Sequence, residues 1–70
     1  MKYQEAARKL RALGCQELRR HGPGSHRKWY NPVTDRLASL PDWGPKDLKT
    51  GTLRAIVRQL GLDWHEFQDA

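Results

Sequence analysis

Apolar side chains recur along the chain first at helical spacing, then in alternation, then at helical spacing again. Tyr3, Ala6, Ala7, Leu10 and Leu13 fall on one stripe while Lys2, Glu5, Arg8, Lys9 and Arg11 take the other side. That pattern predicts an amphipathic helix over 3–13, with Gly14 as its C-terminal cap. Cys15 to His21 is short, carries Leu18 and two arginines, and reads as a first strand. From His26 to Tyr30 the chain alternates: His26, Lys28 and Tyr30 share one face, Arg27 and Trp29 the other. Asn31-Pro32-Val33-Thr34-Asp35 has turn composition, because Pro32 presets a backbone angle and Asn and Asp bond their local backbone. Arg36 to Leu40 returns as a third strand, ended by Pro41. Asp42 to Lys49 contains Gly44 and Pro45 and reads as a loop carrying Trp43 and Lys46. Thr50-Gly51-Thr52 offers N-cap hydroxyls to a helix whose stripe is Leu53, Ile56, Val57 and Leu60, with Arg54 and Arg58 opposite. Gly61 caps it, Leu62 supplies the hydrophobic contact of such a cap, and Asp63 starts a short final turn in which Trp64 and Phe67 share a face.

The order helix, strand, strand, strand, helix predicts an α+β domain in two layers. An antiparallel three-stranded sheet carries both helices on one face and leaves the other open, as in double-stranded-RNA-binding domains. Residues 1–70 form one domain in this reading, with a core over 3–62, a C-terminal extension over 63–70 that holds the short helix, and no repeats or linkers.

Charge narrows the class. The net charge is +5, but residues 59–70 carry three acids and no Lys or Arg, so the preceding segment holds thirteen cations against five acids, a net +8. A basic body favours a polyanionic partner. Cys15 is the single cysteine, so no internal disulfide forms, and a reducing cytoplasmic setting is expected. No apolar run has the length of a membrane span, and the amino terminus lacks a signal-peptide core.

The candidate chemistry lies in Gly24-Ser25-His26-Arg27-Lys28-Trp29. Gly22-Pro23-Gly24 should place His26 at the first residue of a strand, held by the ladder yet reachable from solvent. Hydrolysis of RNA without a metal needs a base for the 2′-hydroxyl proton and cations for the charge building on phosphorus. Imidazole titrates near neutral pH and can act as that base, with Arg20, Arg27 and Lys28 holding the substrate backbone. Ser25 can bond the turn or a phosphate. Trp29 faces away from His26 and is assigned to the core, which leaves Trp43, beside Lys46 in its loop, as the candidate surface for base stacking or a protein partner. Competing sites fare poorly. Neither His21 nor His65 stands at metal-ligand spacing from Cys15 or His26, and Ser25 and His26, adjacent on a strand, point apart rather than forming a nucleophile–base pair. No second helix precedes 52–60 at the short distance a helix-turn-helix requires.

Several segments taken together resemble one known family. Leu13-Gly14, Arg19-Arg20, Gly24-Ser25-His26, Leu40-Pro41, and Lys46-Asp47-Leu48-Lys49-Thr50-Gly51-Thr52-Leu53 leading to Ile56, Gln59, Gly61 and Leu62 occur in the order seen in the HicA, or YcfA-like, toxins. The resemblance spans nearly the whole chain. It implies the fold above, a cytoplasmic endoribonuclease that cleaves single-stranded mRNA without a cofactor, a catalytic histidine at His26, and inhibition by a HicB-type antitoxin. The toxin is then expected as a monomer when free and a hetero-oligomer when neutralised. Two departures stand out: Pro23 lengthens the turn before Gly24, and Asp42-Trp43 follow Pro41 where the family often has a second histidine. The alternative is a non-catalytic RNA-binding module of the same fold, reading duplex shape and 2′-hydroxyls.

Overall fold

The computed structural model describes residues 1–19 and 25–70. Its elements are α1 (Tyr3–Ala12), β1 (Gln16–Glu17), β2 (His26–Asn31), β3 (Arg36–Pro41), α2 (Thr50–Gln59) and α3 (Trp64–Asp69). The strands form one antiparallel sheet in the order β1-β2-β3. This is the predicted α+β arrangement of the double-stranded-RNA-binding-domain type. Trp29, Ala38 and Leu40 of the sheet meet Tyr3, Ala6, Ala7 and Leu10 of α1 and Leu53, Ile56 and Val57 of α2 in a single core. Both long helices therefore cover one sheet face.

Helix ends follow the sequence closely where glycine sets them. Gly14 has φ +91°, with Cys15 N donating to Leu10 O and Gly14 N to Arg11 O. Gly61 has φ +73°, with Leu62 N donating to Val57 O and Gly61 N to Arg58 O. Both are Schellman caps, which need a left-handed residue that glycine adopts without a Cβ penalty. Asp63 caps α3 by accepting from Glu66 N at 3.1 Å.

Three expectations change. The predicted Cys15–His21 strand is observed as the two residues of β1, although Leu18 N still donates to Lys28 O at 2.8 Å; positions 20 and 21 lie outside the described residues. Helix α2 begins at Thr50, two residues before the expected start, with Lys49 at the N-cap and no side-chain cap bond. Thr50 and Thr52 thus occupy the first turn instead of capping it. Lys9, assigned to the wet side of α1, is 6% exposed, and its Nζ donates to Gln68 O at 2.5 Å and Ala70 O at 3.0 Å. A cation at those carbonyls satisfies the end of α3 and opposes its negative dipole end.

The turn between β2 and β3 is tied to the end of α2. Asn31 Oδ1 accepts from Val33 N, while Asn31 Nδ2 and Thr34 Oγ1 both donate to Leu60 O at 2.8 Å. A Cβ on Gly61 would lie 2.7 Å from Thr34 Cγ2, whereas one on Gly14 meets nothing within 4 Å. Gly61→Ala is accordingly expected to cost about 2–4 kcal/mol, from the left-handed backbone plus the overlap, and Gly14→Ala about 1–2 kcal/mol. Urea unfolding checks the difference, and Thr34→Ser in the Gly61→Ala background should recover the overlap part.

Candidate active site on the open sheet face

Cross-strand register assigns the residues of the uncovered face. Lys28 pairs with Ser39, and Tyr30 with Leu37 on one side and Gln16 on the other. Paired residues project to the same side of a sheet, so this face carries His26, Lys28, Tyr30, Leu37 and Ser39. His26 is exposed and is the first residue of β2, the place expected for it after Gly22-Pro23-Gly24. Lys28, also exposed, lies two residues on, at a strand rise that separates their Cα atoms by about 7 Å. A phosphodiester spans that distance with room for both groups. Tyr30 OH donates to Asp35 Oδ1 at 2.7 Å, which fixes the far end of the face and raises the phenol pKa.

The ladder runs one bond beyond His26. Asp42 N donates to Ser25 O at 2.5 Å, so the 42–49 loop starts against the residue that precedes His26. Asp42 Oδ1 accepts from Gly44 N at 3.0 Å, and Lys46 N donates to Trp43 O, folding the loop into a tight turn with Trp43 and Lys46 both exposed. Ser25, His26, Trp43 and Lys46 are thereby carried by two segments that meet at one end of the sheet. Arg20 and Gly22-Pro23-Gly24 lie outside the described residues.

Arg27 is not on this face. Its guanidinium lies on the helix-covered side, with Nη1 3.2 Å from Glu17 Oε2, Nε 3.0 Å from Asp42 Oδ2, and Cζ 5.4 Å from the Tyr3 ring centroid. Glu17 also accepts from Tyr3 OH and lies 3.7 Å from Arg11 Nη2. Arg27 is expected from the sequence to hold substrate phosphate with Lys28, but strand alternation puts the two on opposite faces, and the Arg27 guanidinium is engaged by Glu17 and Asp42 instead. In the sequence Tyr3 reads as a stripe residue of the first helix and Asp42 as the start of a loop, and neither they nor Glu17 carry a sign of this cluster. The diagonal reach from Glu17 to Arg27 requires the β1–β2 register, which no local pattern reveals.

Burial, reinforced by the hydrogen bond to Glu17, pushes the Tyr3 phenol up to about 12. A phenol that holds its proton more tightly folded than unfolded stabilises the fold fully below pH 10, and that contribution disappears as pH rises from about 10 to 12. The loss should be on the order of 2 kcal/mol. Urea midpoints at pH 9 and pH 11.5 for wild type and Tyr3→Phe check this; an equal drop in both proteins would show that Tyr3 ionisation plays no part.

Residues 3–62 match a family model described as the HicA toxin of bacterial toxin-antitoxin. The chain belongs to the HicA toxin family. It is also 39% identical over 62 residues to a Pseudomonas fluorescens (strain Pf0-1) protein named probable mRNA interferase HicA, covering 89% of this chain and 97% of that relative. The HicA match runs from the start of α1 to the Schellman cap of α2, so it includes the whole sheet and His26. Helix α3 lies beyond the matched span, yet its Phe67 is 1% exposed in the common core, and its Trp64 ring stacks on Phe67 at 5.6 Å between centroids.

Proposed function

We propose that this HicA-family chain is the toxin of a toxin–antitoxin pair, an endoribonuclease that cuts single-stranded mRNA with His26 as the essential group. The observation that carries the reading is an imidazole at the exposed first position of a central strand, on the same open face as Lys28. The family match and the name of the Pseudomonas relative support the same chemistry.

In this reading RNA lies across the open face with its backbone along Lys28. His26 takes the proton of a 2′-hydroxyl, the resulting oxygen attacks the adjacent phosphorus, and the 5′-oxygen leaves, taking up a proton from water at this exposed site. The chain is cut and a 2′,3′-cyclic phosphate remains. Lys28 offsets the charge that builds on the phosphoryl oxygens. Ser25, Lys46 and Arg20 hold flanking backbone, and Trp43 stacks on a base. No cofactor enters the step, and DNA, which lacks the nucleophile, is spared.

A HicB-type antitoxin would silence the toxin by covering the same face, where half-buried Tyr30 and exposed Leu37 and Leu18 give it apolar footing and the basic body attracts its acids. The toxin then acts in the cytoplasm, as a monomer when free and a hetero-oligomer when bound. A time course on single-stranded RNA in excess chelator, read on a denaturing gel, tests the reading. Fragments are expected. Intact RNA together with a salt-sensitive shift on a native gel would instead establish a non-catalytic RNA-binding module.

A further inference from the structure

The side chains clustered beneath the start of β2 take no part in the step just described. They nevertheless surround the point where His26 is attached. The β2–β3 register ends at His26 paired with Pro41, and beyond it, among the described residues, the two segments share the bond from Asp42 N to Ser25 O. Residues at the end of a ladder fray unless something else fastens them. Here the fastening comes from the covered side.

Arg27, next to His26 on β2, reaches Asp42, the first residue after β3, through Nε at 3.0 Å. The other edge of its guanidinium reaches Glu17 on β1 at 3.2 Å. Glu17 is in turn held by Tyr3 OH of α1. Three strand ends and a helix thus converge on one planar cation. The Arg27, Glu17 and Asp42 side chains are only 28%, 21% and 23% exposed, so water screens these pairs less than it screens pairs on an open surface. The guanidinium donates a hydrogen bond to Glu17 through Nη1, while its Nε meets Asp42 as a close ion pair without an aligned hydrogen bond; the planar, delocalised charge lets one cation face both carboxylates. Asp42 also folds the turn that carries Trp43, through its other carboxylate oxygen.

We infer that Arg27 and Asp42 are positioning residues, a clamp on the covered side of the sheet that fixes His26 and the Trp43 loop relative to each other. This rests on the reading of His26 as the RNA-cleaving base. A reacting group displaced by about an ångström loses up to a hundredfold in rate, so loosening the clamp should slow chemistry far more than it weakens binding through the Trp43 loop, and should leave the salt dependence of binding unchanged. A phosphate contact at Arg27 gives the opposite pattern, because each cation removed from the RNA interface weakens binding and flattens its dependence on salt.

The test is single-turnover cleavage and RNA affinity at several salt concentrations for wild type, Arg27→Met, Arg27→Lys and Asp42→Asn, with Lys28→Ala as the phosphate-contact control and thermal melts on each. Expected are saturating rates lowered about tenfold to a hundredfold for Arg27→Met and Asp42→Asn, partial rescue in Arg27→Lys, RNA dissociation constants raised by no more than about fivefold through the Trp43 loop, and salt slopes equal to that of wild type. Asp42→Asn is nearly isosteric and decides the matter if Arg27→Met melts below the assay temperature. A raised dissociation constant with a flatter salt slope in Arg27→Met would overturn the inference, as would unchanged rates in both variants. The His26 ring resonances in a ¹H–¹³C spectrum give a readout that needs no cleavage. They should move in Asp42→Asn while those of His65 on α3 stay in place, and stationary His26 signals would overturn the clamp. Failure of the wild type to cut RNA at all would count against the ribonuclease reading alone.

Discussion

Replacing His26 with alanine is expected to lower RNA cleavage by about a hundred to ten thousand fold, the usual worth of a general base, without changing how the protein folds or holds RNA. The side chain is exposed and lies outside the core. Substitutions at such positions usually shift stability by no more than about 0.5 kcal/mol. The melting temperature and the RNA dissociation constant should therefore match wild type. Lys28→Ala should show the complementary pattern, with weaker binding, a flatter salt dependence, and a smaller loss of rate once RNA is saturating. Comparable losses in both variants would mean that His26 merely contributes to binding. Rate at saturation and dissociation constant, measured on the same oligonucleotide, separate the two roles.

Trp29→Ala should have the largest effect on stability. Trp29 is 0% exposed, pairs with Ala38 on β3 and Glu17 on β1, and has the Arg11 guanidinium 5.1 Å from its ring centroid. Truncating a buried tryptophan costs about 3–5 kcal/mol through lost transfer energy and the cavity left behind. A domain of 70 residues has a total stability of only about 4–10 kcal/mol, so the variant should be partly unfolded at growth temperature. Circular dichroism melts and urea titration check this. The effect reaches activity through the unfolded fraction, so the cleavage rate per folded molecule should fall far less than in His26→Ala. A melting temperature within a few degrees of wild type would show that the sheet and α1 are held together some other way.

The features legible in the sequence are those set by near neighbours. Alternation from His26 to Tyr30 sorts the residues of β2 into two faces, while which of them is wet is decided by where the helices pack. Gly14 and Gly61 mark helix ends because the left-handed backbone of a Schellman cap is a local demand, and Asp63 announces α3 for a similar reason. Other positions answer to partners far along the chain. Lys9 looks like a wet residue of α1 and is buried because the carbonyl end of α3 comes to rest on it, 59 residues away at Gln68. Arg27 looks like a phosphate ligand beside Lys28 and is turned to Glu17 and Asp42 by a register that composition does not encode. The hydroxyls of Thr50 and Thr52 suit a cap, but the first α2 bond, from Leu53 N to Lys49 O, places them inside the helix.

The most direct test of His26-driven attack by the 2′-hydroxyl is a matched pair of oligonucleotides cut by the wild-type protein. One is all-ribose, and the other carries a single 2′-deoxy sugar on the 5′ side of the cleaved bond. Expected is cleavage of the first alone, with the upstream fragment bearing a cyclic phosphate by mass spectrometry and no such fragment from His26→Ala. Cutting of the deoxy-substituted bond, or a free 3′-hydroxyl on the upstream fragment, would mean that water is the nucleophile and would contradict the role assigned to His26.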